Sequence, residues 1–150
     1  MILSSIGLVI FAVLVLLLVT AKPRTNTSEF YGTKPLSEME QVAYWRLVEA
    51  CGTDKIILSQ VAFSRFIRTK GGNRKGRASN FGKARQKVAD FVICNKDFSI
   101  FAIVEIDDKL HNKEKDEARD KITKAAGFKT IRVLAKELPN AMEFRRALGL

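Results

Sequence analysis

The chain opens on an unbroken hydrophobic segment. Residues 1–21, MILSSIGLVIFAVLVLLLVTA, carry no charged side chain, and Ile6 to Val19 is an almost continuous run of Leu and branched aliphatics. At about 1.5 Å per residue a helix of that length reaches the roughly 30 Å of a bilayer core, so a membrane-spanning helix is expected over 1–21. A cleaved secretory signal is the alternative, but no Lys or Arg precedes the apolar run, and Lys22 and Arg24 follow it. A buried core helix would have to hide apolar side chains on every face, which a small domain hardly allows. The basic pair after the span places the following domain in the cytoplasm by the positive-inside rule.

Residues 22–36, KPRTNTSEFYGTKPL, are polar, proline-containing and aperiodic, as in a tether. From there a helical period begins. Ser37 and Glu40 have capping-box spacing, and Met39, Val42, Ala43, Leu47 and Val48 supply an apolar face for a helix ending near Gly52. Lys55 to Val61 is expected as a strand, with Phe63, Phe66 and Ile67 continuing the core in a short helix or turn. Gly71, Gly72, Gly76 and Gly82 make the middle of 65–87 an expected mobile loop. Val88 to Cys94 and Phe98 to Ile106 are expected as the two strands of a hairpin about the turn Asn95-Lys96-Asp97. A helix follows from Lys113 to Ala126, with Ala118, Ile122, Ala125 and Ala126 near one face and Gly127 at its end. Thr130 to Leu134 is the next strand, and 140–148 the final helix.

That order predicts an α/β (α+β) fold: one mixed sheet with flanking helices over residues 37–150, and a parallel crossover from strand 98–106 to strand 130–134. At 150 residues the chain has no room for two large domains, and it shows no internal repeat. Cys51 and Cys94 form no CxxC pair or disulfide framework, and a single histidine argues against structural zinc. A glycine-rich nucleotide fingerprint, a phosphate-binding loop ending in Gly-Lys-Ser/Thr and a serine nucleophile elbow are also missing from the sequence.

Charge changes the picture. All Lys, Arg, Asp and Glu lie after residue 21, so the net charge of +10 belongs to the domain and its tether. Such a balance attracts phosphate, on nucleic acid or on an anionic lipid surface. The basic residues concentrate between Arg65 and Lys87, with no acid among them. Arg74, Lys75, Arg77, Lys83, Arg85 and Lys87 are the expected nucleic-acid contacts, to the phosphate backbone rather than to base edges.

Against that background the string Val104-Glu105-Ile106-Asp107-Asp108-Lys109-Leu110-His111 stands out. Glu105 and Asp107, two apart on a strand, point to the same side, and Asp90 on the neighbouring strand lies across from one of them. Three ionised carboxylates brought together repel, and a hard divalent cation such as Mg2+ relieves that repulsion and in turn binds phosphate oxygens. The plainer alternative makes Asp90 the end of an exposed strand and Asp107-Asp108 a turn or helix cap. His111 is either a surface residue or, beside these acids, a proton carrier or metal ligand. Asp116, Arg119, Asp120 and Lys121 have the spacing of solvent-face helix pairs, from which one basic side chain could turn toward the acids.

From about Leu36 to Leu134 the chain resembles the bacterial domain of unknown function 2726 family, placed with the PD-(D/E)xK restriction-endonuclease-like superfamily. The residues that carry the resemblance are Ser37-Glu38-Met39-Glu40-Gln41, Gln60-Val61, Val88 to Cys94, Ala102 to Asp108 with His111, Arg119-Asp120-Lys121, and Ala126-Gly127 leading to Ile131-Arg132-Val133. It is also similar to the very-short-patch repair endonuclease branch, where acid-x-acid followed by histidine replaces the usual motif. The resemblance implies a restriction-endonuclease-like core, with Asp90 and Glu105 as metal ligands and Glu40 as a further carboxylate. The lysine expected two residues after the Glu is here Asp107, leaving charge stabilisation and water activation to the metal, His111, Lys109 or Lys121. The implied protein is a single-pass protein of the bacterial inner membrane that hydrolyses DNA with Mg2+. A catalytically silent module binding nucleic acid, anionic membrane or protein is the alternative.

Overall fold

In the computed structural model, residues 28–107 and 113–150 are described, together with residues 7, 10, 11, 13 and 16. They belong to two units, residues 1–33 and 34–150. In the first, the described residues near the N-terminus are helical and exposed, and Phe30 and Tyr31 are exposed outside any regular element. Among the described residues no helix is long and apolar enough to cross a membrane. The span expected over 1–21 falls largely outside the described residues.

The second unit begins with α1, Glu38–Cys51. Its start is the capping box expected from sequence: Ser37 Oγ accepts from Glu40 N, and Ser37 N donates to Glu40 Oε2 over 2.7 Å. The helix buries Ala43, Leu47, Ala50 and Cys51, and Gly52 ends it at φ 57°. Of the expected face, Ala43 and Leu47 are buried and Val48 is half-buried, while Met39 and Val42 are exposed. The buried set instead repeats at i, i+4, i+7 and i+8 from Ala43, the spacing of a single helical stripe.

Four strands follow: β1 Ile56–Ala62, β2 Val88–Cys94, β3 Ile100–Asp107 and β4 Thr130–Leu134, in that order across one sheet. β1, β2 and β3 are antiparallel neighbours, and β4 runs parallel to β3, as a crossover requires. β3 starts later than the sequence suggests. Asp97 Oδ1 accepts from both Ser99 N and Ser99 Oγ, and Phe98 sits at φ 63°, so this local turn takes the first two residues assigned to the strand.

The 65–87 stretch overturns the loop expectation. Residues 63–65 form a 3-10 turn, and Arg74–Arg85 is a helix, α2. Asn73 caps it, its Oδ1 accepting from Gly76 N at 2.8 Å. At Gly76 a side chain would crowd this cap, because a Cβ would stand 3.2 Å from Asn73 Oδ1. The glycine that suggested a loop therefore serves the helix start.

α3, Lys113–Ala125, and α4, Ala141–Leu148, complete the fold. Core packs on both sides of the sheet. On one, Ala43, Leu47, Phe144 and Leu148 from α1 and α4 meet Phe91, Ile93, Ala102 and Val104. On the other, Phe63, Ile67 and Ala84 meet Val92, Cys94 and Ile103, with Ile122 and Phe128 half-buried beside them. Burial on both faces explains why residues 91–94 read as a continuous apolar run rather than an alternation.

α4 is short and depends on its first turn. Asn140 Oδ1 accepts from Glu143 N and Asn140 N donates to Glu143 Oε2, a second capping box. Asn140→Ala is expected to cost about 1 kcal/mol, read by urea unfolding, while a surface change such as Met142→Ala on the same helix stays within about 0.5 kcal/mol.

Candidate functional site

The ladder between β2 and β3 runs as far as Phe91 opposite Val104. Strand alternation from that pair sets Asp90 and Glu105 opposite each other, on the face that carries Val92 and Ile103. Where the paired ladder stops, Asp90 Oδ2 accepts from Ile106 N at 2.8 Å. β1 is irregular at the same level, with Gln60 at φ 53° between the paired Ser59 and Val61. The Gln60 amide donates to Glu40 Oε1 at 2.6 Å. A pocket of about 250 Å³ opens here, lined among others by Ser37, Glu40, Asp90, Ile106, Arg119 and Ala135. The ends of α1, β2 and β3 and the side of α3 thus meet at one cleft.

Glu105 is 1% exposed, the one buried carboxylate among the described residues. Its Oε2 pairs with Arg119 Nη1 at 3.2 Å. Its Oε1 is buried without any hydrogen-bond partner. Burial, and after it the charge of Asp90, push the Glu105 carboxyl up to about 8, against the pull of Arg119. Asp90 is also raised, first by burial and then by the Glu40 and Asp107 charges, with the Ile106 N–H opposing. Both acids thus hold their protons more tightly than free carboxyls do, and a bound cation would favour their ionised forms.

Asp107 has a different environment. Arg132 grips it at two points, Nε to Oδ2 at 2.8 Å and Nη2 to Oδ1 at 3.2 Å, and reaches Asp120 Oδ1 through Nη1 at 3.1 Å. The expected three-acid cluster is therefore two acids plus an Arg-held third. Both oxygens of Glu40 already accept, from Ser37 N and from Gln60. Among the described residues no three His, Cys, Asp or Glu side chains are grouped to hold a metal ion. Two carboxylates remain, Asp90 and Glu105, a number of protein donors compatible with a magnesium ion that keeps several waters. The observation that bears on such a cation is the Glu105 Oε1, buried without a hydrogen-bond partner.

Lys109 and His111 lie outside the described residues, as do the side chains of Asp108 and Asp116. Lys121 is exposed and lines a separate cavity with Phe66 and Phe128. The basic side chain that does turn toward the acids is Arg119, from the same helix. Sequence reasoning missed Arg132, although a signal was present: it is the only charged residue in the β4 segment Thr-Ile-Arg-Val-Leu, and the parallel register sets it beside Glu105.

The expected nucleic-acid contacts sit mainly on α2. Arg74, Lys75, Arg77, Lys83 and Arg85 are exposed, whereas Lys87 is half-buried just before β2. Arg74, Arg77 and Arg85 share one side by helical spacing, and Lys75 and Lys83 share the adjacent one. They form a broad cationic surface rather than a narrow stripe.

The family described as "Protein of unknown function (DUF2726)" matches residues 33–150. The chain belongs to this family. The DUF2726 match includes the whole sheet, α1 to α4 and each carboxylate of the cleft. No curated protein and no solved structure matches the chain.

Proposed function

We propose that the chain is a metal-dependent DNA phosphodiesterase of the PD-(D/E)xK type, from the branch that resembles the very-short-patch repair endonuclease, held at the membrane by residues 1–21. The observation that carries this reading is the buried Glu105, with one oxygen unpartnered, opposite Asp90 at the cleft where the β2–β3 ladder ends. Asp90 and Glu105 would hold the ion, while Glu40 and Gln60 brace the cleft wall. A bound Mg2+ would offset the two carboxylate charges and supply an acidified water at a phosphodiester. Arg119 pairs with Glu105 and also lines the pocket, so it stands where a phosphate oxygen would enter. Arg132 donates to both Asp107 oxygens and so offsets part of that acid's charge beside the proposed ion. His111 remains a proposed proton carrier or metal ligand, and Lys109 a proposed source of charge stabilisation or water activation.

The cations of α2 would hold the DNA backbone. Arg74→Ala and Lys75→Ala are each expected to weaken DNA binding evenly across sequences. Each also lowers the slope of log affinity against log salt by about 1, read by anisotropy at several salt concentrations.

The test is cleavage of single-stranded, duplex and mismatched DNA by the full chain in neutral detergent, with Mg2+ or with chelator. Cleavage that needs the ion supports the proposal. A catalytically silent binding module is the second reading, because among the described residues no three metal-ligating side chains are grouped together. Salt-sensitive DNA binding without cleavage of any substrate would establish that module instead.

A further inference from the structure

A second cavity, of about 560 Å³, lies between the segment leading into α2 and the second half of α3. Its size is that of small-molecule pockets in general. Its walls divide by chemistry. Phe66, Ile67, Ile122 and Phe128 supply apolar surface, and the Phe66 and Phe128 rings meet with centroids 5.7 Å apart at 66°. Arg68, Lys70 and Lys121 also line it, all exposed, and no Asp or Glu does. Arg68 is held in place: its Nη1 donates to the Ile67 carbonyl at 2.9 Å, and its guanidinium lies 5.9 Å from the Phe81 ring.

An inorganic anion would leave the aromatic wall unused, and an uncharged apolar ligand would leave three cations at its edge. An aromatic ring carrying a phosphate satisfies both halves. We infer that this cavity receives one unpaired nucleotide of a single-stranded stretch, its base against Phe66 and Phe128 and its phosphate at Arg68, Lys70 and Lys121. The base must be unpaired, because a ring inside a duplex has both faces stacked and its pairing edge covered. α2 begins four residues after Lys70, so phosphates flanking the bound nucleotide would meet its cations. The inference rests on the nucleic-acid part of the proposed function and not on the cleavage part.

The experiment compares two labelled strands of equal phosphate number, a ten-residue oligothymidylate and an abasic ten-residue strand. Both bind the full chain in neutral detergent with chelator present, followed by anisotropy. Stacking one base on aromatic rings is worth ~5-fold or more in affinity, so the thymidylate should bind at least ~5-fold tighter than the abasic strand. Ala125→Trp places an indole at the cavity wall from an exposed helix position, and should abolish that preference while leaving abasic binding within about twofold. Ala126→Trp repeats the plug from the next exposed position. Thymidine 5′-monophosphate should displace the thymidylate.

Equal binding of the two strands, or a preference that survives both plugs, overturns the inference. So does displacement by dodecyl phosphate and not by thymidine 5′-monophosphate, which would assign the cavity to an acyl anion. Because the ion is chelated, failure of DNA cleavage with the base preference intact removes only the nuclease. Equal binding with cleavage intact removes only the nucleotide pocket.

Discussion

Glu105→Gln is expected to make the metal-free protein more stable at pH 8 and to flatten its stability between pH 5 and pH 8. The Glu105 carboxyl is pushed up to about 8 in the folded chain from an ordinary 4.5, mainly by burial and then by Asp90. Between those two values the folded state keeps a proton that the unfolded state has released. Stability therefore falls as pH rises through this window. The contribution is fully present below about pH 4.5 and is lost as pH passes the folded value near 8. Asp90, also raised, acts in the same direction.

At about 1.4 kcal/mol per pKa unit, the Glu105 shift corresponds to roughly 3–5 kcal/mol between the ends of the window. Gln keeps the shape of Glu and carries no charge, so the buried position no longer titrates. Urea unfolding in chelator at pH 5 and pH 8 reads the effect. Wild type should lose several kcal/mol between the two, beyond what the variant loses. Equal losses in both proteins would mean that Glu105 ionises in the folded chain as it does in water.

The second large effect is on chemistry. Glu105→Gln and Asp90→Asn should each lower Mg2+-dependent DNA cleavage at least about a hundredfold, or about 2.7 kcal/mol of transition-state stabilisation. DNA affinity measured in chelator should stay within about threefold, because the α2 cations lie on a separate element. Asp107→Asn is the contrasting variant. With Asp107 gripped by Arg132 rather than free in the cleft, its loss should cost cleavage less than either of the other two. If Asp107→Asn proved as damaging as Asp90→Asn, the division of roles between the acids would be wrong.

Much of this arrangement was legible in the sequence where a local signal and the tertiary structure agree. Ser37 and Glu40 announce a helix start, and the same two residues later frame the pocket. Thr130–Leu134 emerged as a strand with its expected bounds, since it is short, branched and follows Gly127, whose φ of 82° ends α3 cleanly. Val88–Cys94 likewise kept its expected bounds.

The failures have a common physical source, contacts with residues distant in sequence or within a turn. Gly76 and Gly82 weaken α2 by propensity alone, yet the Asn73 cap and burial of Ala84 against Ile103 and its neighbours hold it as a helix. The acids at 90, 105 and 107 were found by their contrast with a basic chain. What each does depends on Arg119, Ile106 N and Arg132, and spacing along β3 says nothing of those partners. The carboxylate left with an unpartnered oxygen is a property of packing, visible only once α3 is laid across the sheet.

The central claim is that Asp90 and Glu105 together form a divalent-cation site. Calorimetric titration of Mg2+ into the full chain at pH 7, repeated in two buffers of different ionisation enthalpy, addresses it most directly. Because Glu105 is largely protonated at that pH, binding must expel its proton. The account predicts one ion per chain with about one proton released at pH 7, falling toward none at pH 9, and no binding by Glu105→Gln. Absence of Mg2+ binding in the wild type, or binding by Glu105→Gln with the same proton release, would contradict it.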